Sequence, residues 1–92
     1  MELSWDDSKR RKILVERGLD IAQAQQIFDG AHLDKIDSRF EYGEVRIVTF
    51  GFLDERLCVL VWTERDNKRR LISLRKANER EQEKFKARMG GS

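Results

Sequence analysis

Apolar positions along this 92-residue chain change their spacing near residue 31. Before it they recur at helical intervals, and after it they alternate. Asp6 to Arg17 predicts a helix: Asp6 is a capping residue, no β-branched run interrupts the segment before Val15, and Gly18 offers a left-handed stop. Trp5, Ile13 and Leu14 give that helix a narrow apolar stripe, so it belongs on the surface. Asp20 with Gln23 three residues on resembles a capping box and starts a second helix. Ile21, Ala24, Ile27 and Phe28 carry it forward to Gly30. Leu33 and Ile36 then mark a short, polar edge strand, and Tyr42-Gly43 a turn. Glu44 to Phe52 alternates Val45, Ile47 and Thr49 against Val48, Phe50 and Phe52, and reads as a strand covered on both faces at its far end. Leu53-Asp54-Glu55 connects it to Arg56–Thr63, the most β-prone run of the chain. A turn over Arg65-Asp66-Asn67-Lys68 leads to Arg69–Leu74. Asn78 with Glu81 caps a final helix whose Ala77, Glu81, Phe85 and Met89 share a face. The order is two N-terminal helices, three to four strands, then a helix. Short connections make hairpins, so the expectation is an α+β domain with an antiparallel sheet.

Composition narrows the class. Charged residues make up 39% of the chain, but 19 Lys and Arg stand against 17 Asp and Glu, and two Trp, five Phe and one Tyr supply a core. A disordered tail has a different balance. One domain over residues 1–89 is expected, with 90–92 a frayed tail or a cloning scar. The single cysteine excludes a disulfide framework and a four-thiolate zinc site. No apolar run is long enough to span a membrane and no signal-peptide core is evident, so a cytoplasmic location is expected. The charge is unevenly placed: Arg65 to Arg88 holds ten basic and four acidic residues, net +6, which leaves −4 for the remainder. Basic charge gathered at one end fits a polyanion such as nucleic acid, and equally a solvated, salt-bridged helix.

Candidate chemistry is sparse. His32 has no second histidine or cysteine at ligand spacing, so no metal site is expected, and Cys58 sits among apolar neighbours as a core thiol. The glycines form no phosphate loop. What remains is arginine at strand ends. Arg46 opens the second strand beside Glu44, Arg65 closes the third, Arg70 opens the fourth, and Arg75-Lys76 closes it. Hairpin alternation brings Glu44, Arg46, Arg65 and Arg70 to one rim. Guanidinium groups there can hold phosphate oxygens through paired hydrogen bonds, or form with Glu44 a network that only fastens the sheet.

Several motifs together resemble a known family. Trp5-Asp6-x-x-Lys9, Glu16-Arg17-Gly18-Leu19-Asp20 and Phe28-Asp29 precede Asp37-x-Arg39-x-x-Tyr42-Gly43-Glu44-x-Arg46. Thr63-Glu64-Arg65 and Arg70-Leu71-Ile72-Ser73-Leu74-Arg75-Lys76-Ala77 follow. The chain from about Trp5 to Phe85 is similar to BrnT-family toxins of type II toxin–antitoxin pairs. The resemblance implies a RelE-like fold, a metal-independent ribonuclease without cofactor that halts growth by cutting RNA, and a BrnA-type antitoxin with a ribbon-helix-helix domain. Operator DNA would then be reached through the antitoxin. The family's polar set falls on Lys9, Glu44, Arg46, Arg65, Arg70, Arg75, Lys76 and Glu81. The chain departs from it at Ile13, where many relatives have Asn, and at Glu16-Arg17, where they have Lys-His. Without that histidine, either Arg17 binds phosphate or the reaction never used it.

The expected reaction is attack of a 2′-hydroxyl on the adjacent phosphate. Arg65 and Arg70 would hold the phosphate with Arg46 in support, and Arg75, Lys76, Arg80 and Lys9 would bind flanking RNA. Glu44 would accept the proton if burial raised its pKa from about 4.3, or else would only orient Arg46. Two other readings are a non-catalytic toxin of the same fold that binds gyrase and a small RNA-binding module. The second is weakened because Phe50 and Trp62 sit in apolar runs and are expected in the core.

Overall fold

The structure, a computed structural model, describes residues 1–38 and 43–90. Tyr42 of the expected turn and the last two residues lie outside them. Strand β1 (Glu2–Ser4) precedes helix α1 (Asp7–Arg17), a 3-10 turn over Ile21–Gln23 and a short helix α2 (Gln25–Asp29). Strands β2 (His32–Ile36), β3 (Arg46–Leu53), β4 (Arg56–Arg65) and β5 (Lys68–Lys76) follow, and helix α3 (Glu79–Arg88) closes the described chain.

Local signals fixed most boundaries. Asp6 accepts hydrogen bonds from the Ser8 and Lys9 amides at the start of α1, and Gly18 ends the helix at φ 68° with its amide on the Leu14 carbonyl. The capping box of α3 is complete, with the Asn78 side chain on the Glu81 amide and the Glu81 carboxylate on the Asn78 amide. Asp54-Glu55 and Asp66-Asn67 turn β3–β4 and β4–β5 with φ between 50° and 65°, as tight two-residue hairpin turns require.

Two expectations are corrected. The second N-terminal helix breaks into the 3-10 turn and α2, because Asp20 caps only the Ala22 amide (3.0 Å) and turns its carboxylate to Arg10 at 2.9 and 3.0 Å, so no capping box with Gln23 forms. The sheet has five strands rather than three to four, in the order β1-β5-β4-β3-β2, and it is mixed. β2 to β5 pair antiparallel as expected, with β2 at the edge, but β1 adds parallel to β5 through Glu2–Lys68, Leu3–Arg69 and Ser4–Arg70. Three residues are too few to show alternation, and their partner lies more than sixty residues away, so nothing local announces β1.

The two faces of the sheet differ. One is covered by α1, the 3-10 turn and α2, over a core that includes Ile13, Ile21, Ile27, Leu60, Trp62, Leu71 and Leu74. Trp62 Nε1 donates to Thr49 Oγ1 (2.8 Å), whose hydroxyl donates to Asp34 (2.5 Å), so these two buried groups are satisfied. The other face carries a smaller core of Val48, Leu57, Val59 and Ala77 under Phe85 of α3. A register shift at Val61/Trp62 sets Ser73 opposite Val61 and Leu71 opposite Trp62, leaving Ile72 as the extra residue. Leu71 and Leu74, three apart, both enter the first core as a result. Arg70, Ser73 and Arg75 are correspondingly left on the α3 face.

Candidate active site

The register assembles the arginine rim. Arg46 lies opposite Thr63 on β4, and Thr63 lies opposite Arg70 on β5, so all three point from the α3 face in adjacent strands. Thr63 is buried and donates to the Val45 carbonyl at 2.6 Å, which holds the chain entering β3 against the sheet. Arg65, two residues beyond Thr63, donates through Nη2 to both oxygens of Glu44 at 3.1 and 3.0 Å. Arg65 and Arg70 also line one depression of about 250 Å³ with Ser4, Asp66 and Lys68. Glu44, Arg46, Arg65 and Arg70 therefore converge as hairpin alternation predicts.

Glu44 is not the raised carboxyl that proton abstraction wants. The Arg65 guanidinium lowers its pKa below the ordinary value, and more weakly the Thr63 hydroxyl and Arg46 do so too. Its partner is Arg65, with Arg46 contributing only the smallest effect. The guanidinium that Glu44 holds is thus that of Arg65 rather than that of Arg46.

The flanking set is spread out. Arg75 shares the α3 face but is held by Glu81 through two bonds of 2.8 and 2.9 Å, which bring the Glu81 pKa to about 2. Arg80 is on α3, in a groove against β2 and β3. Lys76 is exposed opposite Cys58, whose side chain enters the first core, so Lys76 leaves from the face away from the rim. Lys9 is exposed on the first turn of α1, which packs on that same face. Arg17 donates to the Leu74 carbonyl at 2.7 Å and clamps α1 to β5, so a phosphate-binding role for it finds no support.

Sequence reasoning missed Ser4 and Lys68 as neighbours of Arg65 and Arg70. Ser4 depends on the unforeseen β1, whereas Lys68 was visible within the basic window. Cys58 is fully buried, and burial pushes its thiol pKa up, as a core thiol should behave. Among the described residues no three His, Cys, Asp or Glu side chains gather where a metal ion would fit. No described helix is long and apolar enough to cross a membrane.

An α+β domain with arginines gathered on one sheet face suits proteins that act on phosphodiesters, and comparison gives that class a name. Residues 5–81 match the family described as the ribonuclease toxin, BrnT, of type II toxin–antitoxin systems. The match covers most of the chain, which therefore belongs to the BrnT family of ribonuclease toxins. No curated protein matches it.

Proposed function

We propose that the chain cuts RNA without a metal ion, at the rim formed by Arg46, Arg65 and Arg70. The observation that carries this reading is the cross-strand placement of Arg46, Thr63 and Arg70, with Arg65 held beside them by Glu44. In the reaction the 2′-oxygen bonds to phosphorus and the bond to the 5′-oxygen breaks, giving a cyclic phosphate and a free 5′-hydroxyl. The proton leaves the 2′-hydroxyl to water, and the departing 5′-oxygen takes one from water. Arg65 and Arg70 bind the phosphate and stabilise its extra charge, and Arg46 supports them. Glu44 keeps Arg65 in place. Among the described residues the depression at the rim is lined by one carboxylate, Asp66, with two arginines and a lysine beside it, a balance suited to an anion rather than to a divalent cation.

The partner is a BrnA-type ribbon-helix-helix antitoxin that masks this face, and it is the antitoxin that contacts operator DNA. Pure protein is expected to cleave RNA in EDTA. Loss of cleavage on chelation with recovery in Mg²⁺ would overturn the mechanism. Arg65→Ala and Arg70→Ala are each expected to lower the rate ~10²–10³-fold with folding unchanged. Intact RNA together with arrested DNA supercoiling would favour the gyrase-binding reading instead.

A further inference from the structure

α3 covers only part of its sheet face. Between the helix and strands β2 and β3 runs a groove of about 440 Å³, floored by Leu33, Phe50 and Phe85. Phe85 is buried, while Leu33 and Phe50 are only half-buried, so Phe50 is not the fully enclosed core residue its apolar run suggests. Arg80, Lys84 and Arg88 stand along the groove at i, i+4 and i+8, one stripe of the helix. None of the three makes an ion pair with a described residue. Lys35 lies over the Phe50 ring with its ammonium 5.5 Å from the centroid. The two acids of the groove are already engaged: Glu81 holds Arg75, and Asp34 accepts from Thr49. The groove is thus an apolar floor of Leu33, Phe50 and Phe85 beside four cations, Lys35, Arg80, Lys84 and Arg88, against two carboxylates.

Its place relative to the rim decides what it fits. Phe50 and Arg46 are four residues apart on β3 and face the same way, about 14 Å at ~3.4 Å per residue. A nucleic acid strand advances ~3.4 Å per stacked nucleotide and about twice that when stretched, so 14 Å is two to four nucleotides. Resting on the proposed cleavage at the rim, we propose that the groove is a subsite for a nucleotide of the RNA substrate two to four positions from the cut bond. Its base lies against Phe50 and Leu33, and its flanking phosphates run along Arg80, Lys84 and Arg88. Aromatic stacking beside a cationic track is the usual way to bind single strands with little sequence demand.

The test uses oligonucleotides with 2′-O-methyl sugars at every position but one, so that only one bond can be cut, and an abasic unit placed in turn at each nearby position. With the unmutated protein, one position two to four nucleotides from the cut is expected to lower kcat/KM about 5- to 100-fold, and the others much less. The Lys84→Glu/Arg88→Glu protein, altered only at exposed helix positions, is expected to cut the intact strand at least tenfold less efficiently at low salt and to lose the abasic penalty. Equal penalties at all positions, or a penalty unchanged by the double substitution, would overturn the subsite. So would a double variant that cuts normally and fails only to bind antitoxin, since the groove would then be a protein-docking surface. If the unmutated protein cuts no strand, the cleavage reading fails by itself, and fluorescence anisotropy of the labelled strands still reads the groove. Weaker binding of the double variant then supports a nucleotide site, and equal binding overturns it.

Discussion

Gly51 shows how little slack single positions have. It sits mid-β3 under Ile27, and a Cβ there would lie 2.6 Å from Ile27 Cγ2 and 3.2 Å from both the Ile27 carbonyl oxygen and the His32 Cβ. Ile27 is fully buried and β-branched, so it cannot swing aside. Gly51→Ala is expected to cost about 1–3 kcal/mol by overpacking, read as a lower urea midpoint with an unchanged slope. A midpoint equal to that of the unmutated protein would show that α2 shifts freely on the sheet. Glu44 yields a functional prediction. With its pKa lowered by Arg65, it is ionised throughout the neutral range but is a weak base, and in the proposed mechanism it holds Arg65 rather than taking the proton. Glu44→Gln is therefore expected to slow cleavage roughly tenfold or less and to leave the pH–rate profile between pH 5 and 8 unchanged in shape. A general base would lose ~10²–10⁴-fold and its acid limb together. That Glu44 and Arg65 meet was legible from hairpin alternation. Which way the carboxyl's pKa moves was not, because it depends on a side-chain pairing that spacing does not specify.

At the scale of elements, the bulge in β5 sets the face on which the arginine rim lies, and the cap of α3 fixes the helix beside it. Strict alternation would put Arg70 and Arg75 on opposite sides of the sheet, since they are five positions apart. The extra residue, Ile72, restores them to one side and keeps Leu71 and Leu74 together in the core. Neither the bulge nor β1 was legible in the sequence, because both are properties of pairing between distant segments. Caps and turns were legible, because Asp6, Gly18, Asn78 and Glu81 act within a few residues of themselves. Glu81 joins the two levels, closing the α3 cap and holding Arg75 on β5. Its pKa of about 2 lies below the ordinary 4.5. The unfolded chain therefore takes up this proton first as pH falls, and the stability Glu81 contributes is whole above about pH 4.5 and lost progressively toward pH 2. Arg75 is 46% exposed, so solvent screening reduces the contribution to about 1–2 kcal/mol. Glu81→Gln is expected to lower stability at pH 7 by that amount and to flatten the fall in stability between pH 4.5 and 2. An acid limb as steep as before would place the loss on other carboxylates, such as Asp20.

Across the whole molecule, charge and cover are divided between the two faces of one sheet. α1 and α2 seal the first face, whereas the second carries the arginine rim and, beside α3, the groove. The +6 window from Arg65 to Arg88 was visible in the sequence, but its division between faces needed the register of β5. Such a surface attracts any polyanion, so an antitoxin that neutralises it by masking must bring acidic residues and also bind by something that salt does not weaken. Phe85 is buried, 6% exposed, and unsuited to receive antitoxin side chains. Phe52 is 44% exposed, edge-on to Phe85 with ring centroids 5.5 Å apart, and offers apolar surface at the end of β3. Steering acts over distances that salt shortens, from ~10 Å at 0.1 M toward ~3 Å at 1 M, whereas apolar burial does not depend on it in that way. The association rate is therefore expected to fall about tenfold or more across that range while dissociation changes little, measured by stopped-flow mixing and by competition. Phe52→Ala is expected to do the reverse, raising the dissociation rate and sparing association. An association rate indifferent to salt, in a complex that leaves Arg65, Arg70 and Arg75 open to solvent, would mean that the antitoxin silences the toxin from elsewhere on its surface.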